Sequence, residues 1–310
     1  MKKVFIDGKA GTTGLRIYER LENRKDIEIL ILSEEERKNP RCRKDMLNRA
    51  DIAFLCLPDD AAREAVSMIE NPNTVVIDTS TAHRTNPEWA YALPELSTDF
   101  EKKLKQSRRI AVPGCHASGF ISLVYPLIES GYLDHSTKLT CHSITGYSGG
   151  GKKMIGQYEE NQGDILLSAP RQYGLTQNHK HLPEIKAICS LMSEPIFCPI
   201  VADFYSGMEV TVPLFCDDLK PGVTAEKIKT LYREKYSGEI VRYTDFSDAD
   251  GMLSAAALSG KDSMEISVFG NEKRILLTAR YDNLGKGASG AAIEALNIVL
   301  GVPKTTGLEI

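Results

Sequence analysis

The start of the chain alternates short apolar runs with polar turns, a pattern typical of a parallel sheet flanked by helices. Residues 3–7 are predicted to form a strand and residues 15–21 a helix, joined by Gly-Lys-Ala-Gly-Thr-Thr-Gly. Glycines let a backbone approach a pyrophosphate closely, and a helix start offers N–H donors and positive potential. The segment therefore predicts a dinucleotide-binding turn rather than a plain tight turn, with cofactor contacts from Gly8, Gly11, Thr12, Thr13 and Gly14.

The end of the second predicted strand, residues 28–33, indicates which dinucleotide is bound. A dinucleotide site contacts the ribose about twenty residues after the glycines, and an NAD site commonly has Asp or Glu there. This chain has Ser33 instead, with Arg37 and Lys38 shortly after it. A hydroxyl and cations suit the 2′-phosphate of NADP, although the acidic residues 34–36 oppose it. Ser33 and Arg37 are therefore predicted to favour NADP(H).

Three further strands extend the predicted parallel sheet, at residues 51–57, 74–78 and 109–112. Their nearly continuous apolar sequence is typical of strands that are buried on both faces. Ligands of such sheets bind beyond the carboxyl ends of the strands. Pro58 and Ser80 lie at such ends and are predicted to contact the cofactor. Arg84 follows as a candidate clamp for an anionic group of the substrate, because a guanidinium binds such groups with two parallel hydrogen bonds.

The pattern changes after residue 133, where five segments resemble strands of a mostly antiparallel sheet. They are residues 138–144, 196–204, 208–216, 264–269 and 274–281. Residues 219–236 resemble a helix on the surface of this sheet. Small residues then precede an apolar helix, residues 292–300, which is predicted to return to the dinucleotide domain. Asn283 and Gly287, just before that helix, are predicted cofactor contacts.

These patterns predict an α/β chain of two domains. The first is a Rossmann-type dinucleotide-binding domain of residues 1–114, completed by the C-terminal residues 287–310. The second, residues 115–286, is an α+β catalytic and oligomerisation domain with a mostly antiparallel sheet.

Cys115 has the most specific chemical context of any residue. It follows Pro-Gly, where a short apolar strand passes into a helical pattern over residues 120–133 that is bent or interrupted at Pro126. A thiol at a helix start faces free backbone N–H groups and the positive end of the helix dipole, and both favour the thiolate. A lone cysteine is also often a small buried hydrophobe, so the prediction of a nucleophile depends on the rest of the chain.

Two loops of the second domain carry residues that would assist such a nucleophile. Residues 146–153 combine a glycine cluster with a hydroxyl and two lysines, which suits either an anion site or a flexible turn. Residues 178–185 contain His179 and His181, for which acid–base catalysis is favoured over metal binding because no further ligands have suitable spacing. His181 is slightly favoured because it lies nearer to a predicted helix start. The predicted substrate contacts are Arg84, Ser148, Gly149, Lys152, Arg171 and Glu184.

Composition excludes several other classes of function. The chain has 310 residues and a formal net charge of −4, which gives no electrostatic footprint for nucleic acid or for an anionic membrane. Its seven cysteines include no Cys-x-x-Cys pair, which is typical of a reducing compartment. No apolar stretch approaches membrane-spanning length. A cytoplasmic protein without a structural metal is therefore predicted.

With these motifs in view, nearly the whole chain resembles the N-acetyl-γ-glutamyl-phosphate reductases of arginine biosynthesis, in their shorter form. The most specific matches are Pro-Gly-Cys at residues 113–115, His-x-His-x-Pro-Glu-Ile at 179–185 and Asn-Leu-x-Lys-Gly-Ala-Ser-Gly at 283–290. The turn Asp-x-Ser-x-Ala-x-Arg at 78–84 also matches. The long form commonly reads Gly-Cys-Tyr-Pro-Thr at the nucleophile, whereas this chain has His116 directly after Cys115, with a role that stays open.

This resemblance implies an NADP-dependent homo-oligomer, either a dimer or a tetramer, that reduces an acyl phosphate and releases inorganic phosphate. It also implies a nucleophile at Cys115 and a catalytic histidine at position 179 or 181. Aspartate-semialdehyde dehydrogenase is the alternative within the same chemistry, although it usually has Asn-Cys at the nucleophile. A non-catalytic NADP-binding sensor and a scaffold protein are alternatives from other classes, and both predict that Cys115 is dispensable.

Overall fold

The computed structural model describes residues 1–310, which divide into two compact units. Unit 1 comprises Met1–Pro113 and Ala288–Leu308, and unit 2 comprises Gly114–Gly287 and Glu309–Ile310. The boundaries expected from the sequence, after residues 114 and 286, each differ by one residue. The last two residues join unit 2 because Glu309 exchanges two hydrogen bonds with Asp262, of 2.6 and 2.9 Å.

Unit 1 is a parallel sheet with helices on both faces. Its strands are β1 (Lys2–Asp7), β2 (Ile27–Leu30), β3 (Ile52–Leu55), β4 (Val75–Asp78), β5 (Ala90–Tyr91) and β6 (Arg109–Ala111). Its helices are α1 (Thr12–Leu21), α2 (Pro40–Arg49), α3 (Asp59–Ser67), α4 (Thr98–Gln106) and α10 (Gly290–Leu300). All pairings are parallel, in the order β2-β1-β3-β4-β6-β5. The strand order reverses between β1 and β3, the place where such sheets bind ligands.

Successive side chains of β1 point to opposite faces of the sheet, which explains the two layers of helices in unit 1. Val4 and Ile6 pack into a cluster that contains apolar residues of α1, α4 and α10. Phe5 points the other way, into a cluster with residues of α2 and α3. Because both sheet faces are covered, the strands carry continuous apolar sequence. The predicted return of the C-terminal helix to this unit is what the structure shows.

Unit 2 is built on a seven-stranded mixed sheet. Its strands are β7 (Thr140–Gly146), β8 (Arg171–Gln172), β9 (Ile196–Ala202), β10 (Met208–Phe215), β11 (Val241–Tyr243), β12 (Met264–Gly270) and β13 (Arg274–Tyr281). Its helices are α5 (Cys115–Glu129), α6 (Gly151–Glu160), α7 (Ile165–Ser168), α8 (Leu182–Ile188) and α9 (Ala225–Lys235). The order is β11-β12-β13-β10-β7-β9-β8, in which the outer pair β11–β12 and the inner pair β7–β9 are parallel and the rest antiparallel.

Helix α5 lies against β10 and β13 and continues through Pro126 to Glu129. The sequence suggested a bend or an interruption here, because proline removes the N–H that would bond to the carbonyl four residues earlier. That carbonyl belongs to Ser122, and it accepts a hydrogen bond of 2.6 Å from the hydroxyl of Tyr236 instead. The helix tolerates Pro126 because a distant side chain replaces the missing donor. No helix of the chain is both long and apolar enough to cross a lipid bilayer.

Candidate active site

Cys115 is the first residue of α5, and three other segments of unit 2 hold this turn. The backbone N–H of Gly114 donates to Oε1 of Glu184, which is buried on α8, at 2.8 Å. The hydroxyl of Tyr281 accepts from the N–H of Gly119 and donates to the carbonyl of Cys115, at 3.0 and 2.6 Å. It thus stands between two groups that would normally bond to each other in a helix. The backbone of the nucleophile is therefore fixed from both sides.

The segment after β13 approaches Cys115 closely at Gly287. A Cβ atom placed on Gly287 would lie 3.1 Å from Cβ of Cys115 and 3.1 Å from the carbonyl oxygen of Asp282. Few real Cβ contacts are that short, so a larger residue would have to shift its neighbours by a few tenths of an ångström. Gly287 packs on Cys115 within unit 2, and its contact with the cofactor stays a prediction.

A pocket of about 140 Å³ opens beside Cys115. Its lining residues are Cys115, His116, Thr145, Gly146, Gly149, Gly150, Met154, Tyr173, His179, Lys180, His181 and Val201. The structure thus brings together the predicted nucleophile, both predicted catalytic histidines and part of the predicted glycine loop. Three other cysteines are placed differently, because burial raises the pKa of Cys56 to about 12 and also raises the pKa values of Cys141 and Cys189.

His116, whose role the sequence left open, is a buried neutral imidazole. Its Nδ1 lies 2.6 Å from the hydroxyl of Ser143, and its Nε2 lies 2.6 Å from the hydroxyl of Tyr173. Burial lowers the pKa of His116 to about 3, with smaller contributions from the charges of His179 and Lys180. A neutral ring has one donor and one acceptor nitrogen, and the two hydroxyls match that pair. His116 therefore supports Tyr173 at the wall of the pocket.

The lowered pKa of His116 predicts that the protein loses stability in mild acid. An unfolded histidine has a pKa near 6.5 and binds a proton that the folded ring excludes. The free energy of unfolding is therefore complete above about pH 6.5 and falls as the pH falls towards the folded value, by about 2 kcal/mol at pH 5 from this residue. Between about pH 6.5 and pH 5, urea unfolding should show a smaller loss of unfolding free energy in His116→Gln than in the native chain. An equal loss in both would contradict the assignment.

His179 and His181 lie side by side, with ring centroids 4.8 Å apart. The backbone N–H of His181 donates to Nδ1 of His179 at 3.3 Å, so a neutral His179 carries its proton on Nε2. Burial lowers the pKa of His179 to about 4, with a smaller contribution from the charge of Lys180. His179 therefore stays neutral near pH 7 and offers one N–H donor. His181 is buried at the start of α8. The sequence slightly favoured His181, whereas this geometry favours His179 as the donor.

Unit 1 contains a cavity of about 720 Å³ at the ends of β1, β2 and β3, within the usual range for ligand pockets. Gly8, Arg37 and Lys38 line it, together with Lys9 and Arg43. Arg37 pairs with Glu34, and Arg43 pairs with Asp7 at 2.9 Å, but Lys9 and Lys38 have no carboxylate partner. The ammonium of Lys9 lies over the ring of Tyr18, 3.1 Å from its centroid. Cations without a carboxylate partner in a cavity at the switch point fit an anionic dinucleotide.

The glycine turn beside this cavity needs its glycines. Gly8 has φ +89°, and a Cβ there would lie 2.2 Å from the carbonyl oxygen of Cys56. A Cβ on Gly14 would lie 2.5 Å from the carbonyl oxygen of Gly8. Gly11 precedes α1 without a side-chain cap, and Thr12 and Thr13 form the first turn of that helix. The turn has the close packing and open helix start that pyrophosphate binding requires.

The other predicted residues of unit 1 bond to the protein itself. Ser33 bonds through its N–H and hydroxyl to Glu36, and it does not line the cavity. Ser80 bonds to Asp78 in its own turn, at 2.9 and 2.7 Å. Pro58 precedes α3. Arg84 is buried and donates to the carbonyls of Val112 and Thr79, at 2.8 and 2.9 Å. These bonds hold the ends of β4 and β6, which gives no support to the predicted substrate clamp at Arg84.

The other predicted residues of unit 2 divide into two groups. Gly149 lines the Cys115 pocket, and Ser148 lies under it, where it accepts from Nδ2 of Asn283 at 3.0 Å. Asn283 is buried and also accepts from the N–H of Gly207, so its amide joins two loops, and its contact with the cofactor stays a prediction. Arg171 donates to the hydroxyl of Tyr158 at 2.9 Å, and Lys152 is exposed in the first turn of α6. Neither cation lines the pocket.

Sequence reasoning did not assign a role to Tyr173, Lys180 or Tyr281. Tyr173 and Tyr281 act through contacts with residues far along the chain, for which the sequence carries no local signal. Lys180 could have been found, because it stands between the two histidines of His-x-His. Glu184 was predicted to contact the substrate, but its carboxylate binds the nucleophile turn.

We predict that Glu184→Ala loosens this turn. The variant removes a charged acceptor from a buried N–H, which costs about 1–3 kcal/mol of unfolding free energy. We expect kcat to fall more than KM changes, because Cys115 loses its fixed position. Thermal unfolding and steady-state kinetics would measure both, with the exposed Glu194→Ala as the control. Native kinetics in Glu184→Ala would contradict a positioning role.

Comparison with known sequences gives matches over both units. Residues 3–105 match the family model "Semialdehyde dehydrogenase, NAD binding domain", and residues 115–283 match "Semialdehyde dehydrogenase, dimerisation domain". The N-acetyl-gamma-glutamyl-phosphate reductase of Sinorhizobium fredii is 46% identical over 303 residues, covering 96% of this chain and 98% of that protein. That of Brucella ovis is 44% identical over 306 residues, covering 96% and 99%.

Solved structures with the same fold are more distant in sequence. Aspartate semialdehyde dehydrogenase II of Vibrio cholerae, complexed with ASA, superposes with a TM-score of 0.74 at 16% identity, covering 97% of this chain and 98% of that chain. The aspartate semialdehyde dehydrogenase of Candida albicans with NADP has a TM-score of 0.67 at 15% identity, covering 99% of both. At such identities the likeness shows the fold alone.

Proposed function

Because this chain belongs to the N-acetyl-γ-glutamyl-phosphate reductase family of the semialdehyde dehydrogenases, we propose that it reduces N-acetyl-γ-glutamyl phosphate to N-acetylglutamate 5-semialdehyde and phosphate, with NADPH, in arginine biosynthesis. The single observation that carries the site assignment is the pocket of unit 2, in which Cys115 at a helix start meets His179 and His181.

The first step that we propose is acyl transfer to Cys115. The thiolate attacks the γ-acyl carbon, the bond from that carbon to the phosphate oxygen breaks, and a thioester remains on Sγ. Phosphate leaves with the electron pair and takes up a proton. The start of α5 favours the thiolate through its N–H groups and dipole. Glu184 and Tyr281 hold the backbone of this turn, so the sulfur needs little reorganisation.

The second step turns the thioester into the aldehyde. When bound, NADPH supplies the hydride that adds to the thioester carbon. Negative charge then develops on the former carbonyl oxygen, and Nε2–H of His179 is the proposed donor that stabilises it. Collapse breaks the carbon–sulfur bond, releases the semialdehyde and returns Cys115 to the thiolate. The residues of the unit 1 cavity that would hold the dinucleotide are the glycines of the turn at 8–14, Lys9, Arg37 and Lys38.

The chain forms a homo-oligomer, and we propose a dimer through the second face of the unit 2 sheet. Strand register places Ile144, Ile200, Pro213, Leu276 and Phe269 on the face that points away from α5. Leu276 is 42% exposed there. We expect light scattering to give twice the chain mass of 34.2 kDa, and Leu276→Asp to shift the protein towards the monomer. A monomeric native chain would exclude this arrangement.

The assay that tests the proposed function uses the reverse reaction. NADP⁺, phosphate and N-acetylglutamate 5-semialdehyde should give NADPH, and omission of phosphate should abolish it. The same assay with aspartate 4-semialdehyde and phosphate is the matched comparison. Turnover with the aspartate compound alone would move the chain to the related dehydrogenase activity. No turnover with either semialdehyde, together with NADP binding, would favour the sensor alternative.

A further inference from the structure

The pocket beside Cys115 contains one formally charged side chain, and it belongs to Lys180. This residue stands between His179 and His181 and lines the pocket together with Cys115. It forms no hydrogen bond or ion pair with another residue of the chain. Lys180 is exposed at this pocket, and a cation without a carboxylate partner beside a nucleophile is available to an anionic ligand.

We propose that Lys180 binds the phosphoryl group of the acyl phosphate and, in the reverse direction, inorganic phosphate. This inference rests on the proposed reductase function and adds a residue to it. An ammonium is a compact donor of three hydrogen bonds, which suits the several equivalent oxygens of a phosphate.

The size of the pocket favours the phosphoryl group over the carboxylate of the substrate. Its volume of about 140 Å³ is small beside the ~300–1,000 Å³ that is usual for whole-ligand pockets. It therefore has room for the reacting end of the substrate. The phosphoryl group is attached to the carbon that Sγ attacks, whereas the α-carboxylate lies several bonds away. A cation in this pocket is thus close to the leaving group.

The charge of Lys180 also acts on the surrounding rings, which supports its placement. It is among the causes that lower the pKa values of both His116 and His179. This effect agrees with the lining of one pocket by Lys180, His116 and His179. The two other predicted anion clamps of unit 2 are less suitable, because Arg171 is engaged by Tyr158 and Lys152 lies outside the pocket.

Kinetics of the reverse reaction distinguish binding of phosphate by Lys180 from binding of the substrate carboxylate. With Lys180→Met we expect KM for phosphate to rise about 10- to 100-fold, while KM for the semialdehyde stays within about twofold. Lys180→Arg should recover part of the loss because it keeps the charge. Lys186→Met, an exposed lysine on α8, is the matched control and should behave as the native chain. An assay near pH 8 keeps His179 neutral in every variant.

A raised KM for the semialdehyde with an unchanged KM for phosphate would overturn the proposal and assign Lys180 to the carboxylate. Unchanged values for both would also overturn it. A second measurement needs no turnover: inorganic phosphate should slow the alkylation of Cys115 by iodoacetamide in the native chain and in Lys186→Met, but not in Lys180→Met. Protection of this kind in a chain without reductase activity would leave the phosphate site standing while the proposed function failed. Equal protection in all three proteins would refute the site.

Discussion

Replacement of Cys115 by serine is expected to lower kcat by at least about 10⁴-fold without loss of the fold. Serine has nearly the shape of cysteine, so the contacts of this half-buried residue with Gly287 and the backbone bonds from Tyr281 should persist. A serine hydroxyl does not ionise near neutral pH, however, and the pocket offers no carboxylate to remove its proton. NADPH formation from the semialdehyde and phosphate measures the loss, and thermal unfolding verifies the fold.

The matched control is Cys216→Ser, which changes a half-buried thiol outside the pocket. It should keep native turnover. Mass spectrometry gives a direct test of the covalent step: the native chain incubated with acyl phosphate and no NADPH should gain one N-acetylglutamyl group at Cys115. Acylation of another residue, or activity of Cys115→Ser within about tenfold of native, would contradict the nucleophile assignment.

Cys115 could be predicted because its signal is local: a strand, Pro-Gly and a helix lie within a few residues of one another. The residues that hold Cys115 in place could not be predicted from the sequence. Glu184 is 70 positions from Gly114, and Tyr281 is 166 positions from Cys115, and no periodicity or spacing links them. For the same reason the sequence did not predict that Gly287 packs on Cys115 or that Asn283 bonds to Ser148. A small residue marks a close approach, but the sequence does not say which backbone approaches.

The same holds for the fold: features set by neighbouring residues could be predicted, whereas features that depend on distant residues could not. The parallel sheet of unit 1 and the β12–β13 hairpin are indicated by apolar runs and turns that are adjacent in sequence. Strands β5, β8 and β11 have two or three residues each, too few for a pattern to emerge. The parallel pairing of β7 with β9 joins segments more than fifty positions apart. The passage of α5 through Pro126 likewise depends on Tyr236, which only the folded chain brings near.

His179→Ala is expected to lower kcat by about 10²–10⁴-fold, and more than His181→Ala does. The reason is the fixed tautomer: Nδ1 of His179 is occupied by the N–H of His181, so Nε2–H is left to stabilise the oxyanion. His179→Asn keeps an N–H donor and should recover part of the loss. His135→Ala, an exposed histidine bonded to the carbonyl of Ser190, is the control and should keep native kinetics.

The pH dependence of kcat distinguishes His179 from an ordinary acid–base histidine. With its pKa lowered to about 4, His179 is neutral above about pH 5, so its titration should give no inflection near pH 6.5. Removal of the Lys180 charge in Lys180→Met should move that pKa upward only slightly, because burial is the larger cause of the lowering. A larger loss in His181→Ala than in His179→Ala, with both variants folded, would return the donor role to His181. The order of these two losses therefore decides between the residue favoured by the sequence and the residue favoured by the geometry.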